Sequence, residues 1–448
     1  MKLYLPQLAN VLGHSTLPAC WIHGAAIDSR KVKAGDLFVA LSGTQSDGHC
    51  YLDAAQAAGA VAALVQEKQA STLPQIVVKD VRQAFTKIAA EWRRRCQATV
   101  IAVTGSNGKT TVKEMIAAIL KQTGTVVATE GNLNNELGVP LTLCRLEQDT
   151  KYAVIEMGAN HPGEIKALTQ IVQPHIGVIT TISPAHLEGF GSVEGVARAK
   201  AEIYTGLNKN GTAVVNLDLP YAHTWKDDIQ DKQCVTFALA HDAQIRAKQI
   251  ELMPHASQFD VTWKAETVSI HLALPGQHNI TNALAAMAAV SPFGIDIQVM
   301  KRGLQSMQSV PHRLQLRHTA HGAVLIDDSY NANPGSFTAA LQVLTGCPGQ
   351  HWLVLGDMAE LGKDSQTIHE EMGRQARQAG VSRVLTLGEK SQWCSRSFGA
   401  GATHFATIEA LYETLDATLT ADVTCLIKGS RMMALDKLAD QLAITGVR

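Results

Sequence analysis

Residues 99–120 read TVIAVTGSNGKTTVKEMIAAIL, and this stretch decides the fold class. Val100 to Val103 is an apolar run, rich in β-branched residues and of the length of a buried strand. Gly105, Ser106, Asn107 and Gly108 then form a tight polar turn. After Lys109 and Thr110 the apolar residues fall at Val112, Met115, Ile116, Ile119 and Leu120, which is helical spacing. A strand, a glycine turn and a helix opening at Lys-Thr make a phosphate-binding loop. The glycines let the backbone wrap phosphates, and the helix N-terminus offers unpaired N–H groups and the positive end of its dipole. Lys109 would meet the β- and γ-phosphates, and the Thr110 hydroxyl a Mg2+ ion. The common Walker pattern wants a glycine at position 103, where this chain has Val103, so the loop is the shorter G-S-N-G-K-T-T form ending in Thr111. One Lys–phosphate pair at 4 Å and an effective dielectric of 20 amounts to about 4 kcal/mol. With several N–H donors added, that is enough to hold a nucleotide.

At 448 residues the chain exceeds one ordinary core, and about three domains are expected. A hydrophobic content of 46% with 18% charged residues fits a soluble globular protein. The net charge of −1 supplies no basic field for nucleic acid or a membrane surface, so neither is expected as a partner. The 8 cysteines are scattered without a C-x-x-C pair, and read as reduced thiols in a reducing compartment. The N-terminus, MKLYLPQLANVLG, is broken by Pro6, Gln7 and Asn10 and makes a poor signal peptide. No apolar run reaches transmembrane length. A cytoplasmic location is expected.

The pattern divides the chain near residues 82 and 310. Residues 1–82 hold short strands, at Phe38–Leu41, Ala62–Val65 and Gln75–Val78, around an alanine-rich helix. Asp28, Ser29, Arg30, Asp47, Gly48 and His49 cluster in the intervening loops, where they are turn formers or the edge of a ligand site. Residues 83–310 form the nucleotide domain. Its loop GNLNNELGVP, residues 131–140, carries more Asn than a connector needs, and side-chain amides suit a polar ligand. Tyr152–Met157 reads as a buried strand with Glu156 at its C-terminal end, where a partner for Mg2+ commonly sits. Ile176–Ile182 is another strand, with His186 and Glu188 just past it and Lys200 on the following helix. Thr212–Leu217 is a strand, and a charged stretch to about Lys248 reads as loops and edge strands. His278, Asn279 and Asn282 open an alanine-rich helix, where Asn caps the helix or reads a purine edge. Residues 311–448 restart a β-α series, with strands at 323–328, 351–357, 383–388 and 424–429 separated by helices, hence a mostly parallel Rossmann-like sheet. Its strands end in polar runs, SYNANP, DMAELG and KGSR, that would line one crevice. The fold class is therefore α/β in three domains: a small N-terminal α/β domain, a central ATPase-like domain and a C-terminal α/β domain.

Taken together, TGSNGKTT, GNLNNELG, EMGANHPGEI, His-Leu-Glu-Gly followed by Ala-Lys-Ala-Glu-Ile, GQHNITNALAA and DDSYNANP resemble the Mur ligases, in the same order along the chain. These are ATP-dependent amide ligases of bacterial cell-wall precursor synthesis. The resemblance covers essentially the whole chain, including DSRKVKAGDLFVALSG. Within the family, DDSYNANP with VLGDMAELG looks most like the members that add D-alanyl-D-alanine to a UDP-N-acetylmuramoyl tripeptide. The Asp-Asn-Pro-Arg motif of the members that add the third amino acid is absent. The family often reads Pro-Gly-Arg at its domain junction, where this chain has Pro311-His312-Arg313.

The resemblance implies that ATP phosphorylates the terminal carboxylate of the UDP-linked peptide, and that the dipeptide amine displaces phosphate from the acyl phosphate. It implies that Gly105 to Thr111 hold the nucleotide phosphates and that Thr110 and Glu156 bind Mg2+. His186 and Lys200 would serve a second metal, with Lys200 carrying a CO2-derived carbamate. Asn279, with Asn282 beside it, would read adenine, and Arg313 and Asp328 would contact ATP from the third domain. Asp28, Ser29 and Arg30 would lie near the uridine diphosphate end, and Gly43, Asp47, Gly48 and His49 are substrate candidates. Asn132, Asn134, Asn135, Lys428 and Arg431 are further substrate candidates, with Asn331 and Asn333 for the incoming dipeptide. A monomer is expected. The competing readings are a ligase for the third amino acid, a folylpolyglutamate-synthetase-like ligase, and a binding protein in which ATP only drives domain closure.

Overall fold

In the computed structural model, which describes residues 1–43, 46–264 and 266–444, an antiparallel pair, Leu3–Tyr4 with Trp21–Ile22, precedes three larger sheets that follow one another along the chain. The first has four parallel strands, Gly24–Ala26, Asp36–Val39, Ala62–Val65 and Gln75–Val77, in chain order. The strand expected at Phe38–Leu41 lies two residues earlier. The Leu41 carbonyl is taken by the Gly48 N–H at 2.8 Å, which turns the chain out of the ladder.

Helix Val81–Arg95 links this sheet to the next. Phe85, Ile88, Ala89 and Trp92 bury its inner face in a core shared by Leu37 and Leu64 of the first sheet and Val100 and Ile155 of the second. Trp92 donates its indole N–H to the Leu146 carbonyl at 3.0 Å, and buried Arg93 donates to the Val172 carbonyl at 2.8 Å. The division drawn at residue 82 runs through this helix, so the first two units are continuous in packing.

The second sheet has nine strands. Thr99–Thr104, the phosphate-loop strand, lies between Tyr152–Glu156 and Ile176–Ile179 and is parallel to both. The chain leaves Thr99–Thr104 toward one edge of the sheet, to Val126–Ala128, and leaves the adjacent Ile176–Ile179 toward the other, to Thr212–Asn216. That makes the C-terminal end of Thr99–Thr104 the topological switch point, where open α/β sheets bind ligands. Beyond Ile176–Ile179 come Thr212–Asn216 and Gln233–Ala238, both parallel. Ile245–Leu252 follows, with Ser257–Trp263 and Glu266–Leu272 added antiparallel. This last hairpin escaped the sequence reading because its apolar residues alternate with polar ones, so only one face is buried.

The third sheet runs Gln315–His318, Val324–Asp328, Val423–Lys428, Gln350–Gly356, Arg383–Leu387 and Ala402–Phe405 in spatial order. All pairs are parallel except the first. The four strands expected here are present. The two edge strands, Gln315–His318 and Ala402–Phe405, were not anticipated, since neither contains a fully buried residue. All eight cysteines are free thiols, and no helix among the described residues is long and apolar enough to cross a membrane.

Helix Gln277–Val290 fixes the site from behind. Eleven of its fourteen residues are buried, so it behaves as a core element, and its alanines let it lie close against the phosphate-loop helix Lys109–Leu120. Ile280 is fully buried in that interface and sits between Asn279 and Asn282. Ile280→Ala is expected to cost about 2–5 kcal/mol, the usual range for such a truncation. A urea titration should show the lowered midpoint.

Candidate active site

The phosphate loop is held from the side by residues 180–183. The strand expected to continue to Ile182 stops at Ile179, because Thr180, Thr181 and Ser183 bond to the loop instead. The Ser106 N–H donates to the Thr181 carbonyl at 2.8 Å and the Asn107 N–H to Thr181 Oγ1 at 3.0 Å. The Thr180 hydroxyl donates to the Asn107 carbonyl, and Ser106 Oγ to the Ser183 carbonyl at 3.0 Å. Lys109 turns back over the loop, its Nζ 2.8 Å from the Gly105 carbonyl and 3.4 Å from that of Ser106. Burial lowers the Lys109 pKa; the Glu156 carboxylate opposes this and Arg313 adds to it.

Glu156 ends its strand 2% exposed. Thr110 donates to its Oε2 at 2.9 Å and the Asn134 amide to its Oε1 at 2.8 Å. Both hydrogen-bond partners are uncharged, and among the described residues no cation bonds this buried carboxylate at the cleft wall. Such a carboxylate beside a hydroxyl suits a hard divalent cation. Asn132 and Asn135 line the same wall, but the Asn135 side chain also accepts from the Gly138 N–H at 2.9 Å and starts helix Gly138–Cys144.

Lys200, on helix Val193–Thr205, is 2% exposed, with Nζ 3.5 Å from the Ala159 carbonyl and 5.3 Å from the centre of the Phe190 ring. Burial first, and the Lys109 ammonium second, lower its pKa to about 7, while Glu164 and Glu202 pull the other way. The solvated helix charge that a lone lysine would suggest is thereby excluded. His186 has φ +50°, an uncommon left-handed conformation for a residue with a side chain, and its Nδ1 meets the Glu360 carboxylate. The imidazole in contact with it holds the Glu360 pKa below its ordinary value.

The opposite wall comes from the C-terminal unit. The Arg313 guanidinium stacks 4.1 Å from the centre of the Tyr330 ring. Lys428, 1% exposed, bonds Asp328 at 2.5 Å and the Asn331 carbonyl at 3.1 Å. Asn279 donates to the Pro275 carbonyl at 2.8 Å and accepts from the Asn282 amide at 3.2 Å. Beside them His278 is pushed down to about 4 by burial and the Lys428 charge, so it is neutral at physiological pH.

These residues surround one cleft of about 650 Å³. Ser106 to Thr111, Asn132, Asn134, Asn135, Glu156, His186, Asn279, Asn282, Arg313, Asp328, Asn331, Asn333 and Lys428 all line it. Gly105 and Lys200 stand behind the lining through the bonds to Lys109 and Ala159. Arg431 pairs with Asp436 at 2.7 Å and reaches the cleft only through Tyr330. The N-terminal candidates do not line it. Asp28 binds the exposed Arg30 guanidinium at 2.8 Å, which lowers its pKa to about 2. Asp47 accepts from the His49 N–H at 3.0 Å and from Ser42 at 3.2 Å, while the Gln66 N–H donates to His49 Nε2 at 3.0 Å. Ser29 opens the turn Ser29–Lys31, the Gly43 N–H donates to the Ser46 carbonyl at 2.9 Å and the Gly48 N–H to the Leu41 carbonyl at 2.8 Å.

The sequence reading passed over Asn160, Glu164, Thr181, Ser183 and Tyr330, which also line the cleft, and over Glu360. The Thr-Thr-Ile-Ser run after the strand was the available signal. A polar run of that kind at the carboxyl end of a parallel strand belongs to the crevice rather than to the ladder.

Residues 21–97 match the Mur ligase family catalytic domain, residues 103–290 the Mur ligase middle domain, and residues 312–431 the Mur ligase glutamate ligase domain. The chain is 43% identical over 450 residues to the UDP-N-acetylmuramoyl-tripeptide–D-alanyl-D-alanine ligase of Escherichia coli K12, covering 100% of this chain and 99% of that one. The crystal structure of MurF from Acinetobacter baumannii superposes with a TM-score of 0.90 at 33% identity, over 99% of both chains. The Thermotoga maritima MurF ligase, solved in complex with ADP, gives 0.81 at 26% identity over 94% of this chain and 96% of that one.

Lys109 touches only loop carbonyls, and its charge is disfavoured by burial. Lys109→Ala is therefore expected to leave the melting temperature unchanged or slightly raised. Nucleoside triphosphate binding should weaken by a hundredfold or more, since about 4 kcal/mol of charge pairing is lost. Calorimetric titration and thermal melts of the same preparation check both halves.

Proposed function

The chain belongs to the Mur ligase family, and from that premise we propose that it joins D-alanyl-D-alanine to a UDP-N-acetylmuramoyl tripeptide at the expense of ATP. One observation carries the reading: the phosphate loop faces Arg313, Asp328 and Lys428 across a single cleft. A carboxylate is a poor acyl donor, so it needs a leaving group. Phosphoryl transfer from ATP supplies one as an acyl phosphate, the dipeptide amine attacks the acyl carbon, and the C–N bond forms as the C–O bond to phosphate breaks. ADP and phosphate are the other products. The protein contributes positioning and charge stabilisation. Gly105 to Thr111 cradle the phosphates, with Lys109 as the point charge. Arg313 and Lys428 bring cations from the opposite wall, and Asn279 and Asn282 present amides to adenine.

Thr110 and Glu156 would hold a Mg2+ ion, and His186 with a carbamate on Lys200 a second. A His whose Nδ1 is oriented by Glu360 keeps Nε2 for a ligand. These ions would neutralise charge developing on the transferred phosphoryl group. Only a neutral amine adds CO2, and a lysine titrating at about 7 has that form available at physiological pH. The carbamate replaces a buried cation with an anion bearing oxygen donors. Asp28, Ser29 and Arg30 are assigned to the uridine diphosphate end, and Gly43, Asp47, Gly48 and His49 to substrate binding. The protein is read as a monomer working in the cytoplasm.

Incubation with UDP-muramoyl tripeptide, ATP and D-alanyl-D-alanine, followed by mass spectrometry, should show the UDP-linked pentapeptide with one ADP per bond. ATP hydrolysis without that product would reject the ligase reading in favour of an ATP-gated binding protein. For Lys200, the alanine variant is expected to lose nearly all activity and to regain part of it with added formate or acetate, but not with chloride at equal ionic strength. Full activity without a supplement would remove the carbamate from the account.

A further inference from the structure

Asn333 begins the C-terminal helix Pro334–Thr345, and its side chain is almost fully committed. Its Oδ1 accepts from the Ser336 N–H at 2.9 Å, while the Ser336 hydroxyl takes the Asn333 N–H at 3.1 Å, a reciprocal cap. Its Nδ2 donates to Asn107 Oδ1 at 2.7 Å, and Asn107 Nδ2 returns a bond to Asn333 Oδ1 at 3.2 Å. Both acceptor positions of Asn333 and one of its two donors are thus in use. Asn107 lies in the phosphate loop, and its second amide hydrogen reaches Ser183 Oγ at 2.9 Å. Gly335 completes the contact: a Cβ there would stand 3.1 Å from Ser183 Cβ and 3.3 Å from Asn107 Nδ2. The pair of His186 with Glu360 crosses between the same two units nearby.

We propose that Asn107 and Asn333 form an amide clasp through which the phosphate loop sets the position of the C-terminal unit. Asn333 is then a positioning residue, and the dipeptide role expected for it falls away. Arg313, Asp328 and Lys428 ride on the unit that the clasp holds, so their alignment with the nucleotide depends on it. A phosphate loop reshaped by its nucleotide moves Asn107, and Asn333 passes that movement to the helix it caps. Because both groups are neutral, the contact is insensitive to salt.

The test is a double-mutant cycle. Asn333→Ser keeps a capping hydroxyl and removes the clasp; Asn107→Ala removes the other half and leaves the cap untouched. Each single variant is expected to raise the KM for ATP about tenfold and to change the KM for D-alanyl-D-alanine less than about twofold. The double variant should be no more than about threefold worse than the worse single, since one interaction is being removed twice. Multiplying effects, wild-type kinetics in either single variant, or a rise confined to the dipeptide KM in Asn333→Ser would overturn the proposal. This kinetic arm rests on the ligase reading. If the wild-type chain makes no product, that reading fails by itself and X-ray scattering of the ADP-loaded chain decides the clasp. Asn333→Ser should then enlarge the radius of gyration, and an unchanged radius would overturn the clasp.

Discussion

At Gly105 the backbone takes φ +149° and passes so near the neighbouring strand that a Cβ would stand 2.0 Å from Thr180 Oγ1. At Gly108 φ is +78°, and a Cβ would meet Asn282 Oδ1 at 2.4 Å. Neither path is open to a residue with a side chain. The close approach has consequences on both sides of the loop. Thr180 and Thr181 can reach the loop backbone only because Gly105 lets it come near, and they replace the ladder bonds that Ile182 would have continued. Asn282 can lie under the start of helix Lys109–Leu120 only because Gly108 is bare, and this seats the asparagines of helix Gln277–Val290 in the wall of the cleft. The alanine content of that helix follows from the same closeness.

The charge balance of the cleft depends on this geometry. Lys109, Lys200, Arg313 and Lys428 converge on it or stand just behind it, and several disfavour one another's charged forms. Two like charges at about 4 Å cost about 4 kcal/mol at an effective dielectric of 20. Lys428 is compensated by Asp328, whose own pKa burial raises against the pull of the lysine. Lys109 has Glu156 as its nearby counter-charge and otherwise only carbonyls. A polyphosphate entering the cleft removes the repulsion and gains attraction from both walls. An anion between the two walls therefore stabilises their approach.

Much of this was legible in the chain because the chemistry is local. The phosphate loop, the strand ending in Glu156 and the β-α series of the last domain each announce themselves within about twenty residues. Lys200 could be placed on its helix, but its burial could not, since that depends on Phe190 and Ala159 packing over it. Glu360 and Asn333 were harder still. Their partners lie on another unit, 174 residues from Glu360 and 226 from Asn333, and nothing in DMAELG or SYNANP points across the cleft. Edge strands such as Ala402–Phe405 escaped for a different reason, because a half-exposed strand carries little apolar signal.

The junction at Pro311-His312-Arg313 shows how a departure from a family pattern is accommodated. His312 has φ +60°, the left-handed conformation that glycine adopts freely, which accounts for the Pro-Gly-Arg often found there. Histidine is among the side-chain-bearing residues that tolerate this region best. Here its Nδ1 lies 2.9 Å from Asp327 Oδ2, and its carbonyl accepts the Tyr330 N–H at 3.1 Å. Asp327 is fully buried and also bonds Arg317 at 3.2 Å and the Ser329 hydroxyl at 2.5 Å. Arg317 reaches on to Asp440 at 2.6 Å, so a guanidinium already compensates the two carboxylates that cluster with His312. The histidine thus exchanges the freedom of glycine for a fixed bond to the strand bearing Asp328. The strain of the left-handed residue, of order 1–2 kcal/mol, is offset by a hydrogen bond to a charged group worth about 1.5–3 kcal/mol. Arg313, the next residue, is directed over Tyr330 by a hinge whose path is fixed through its side chain.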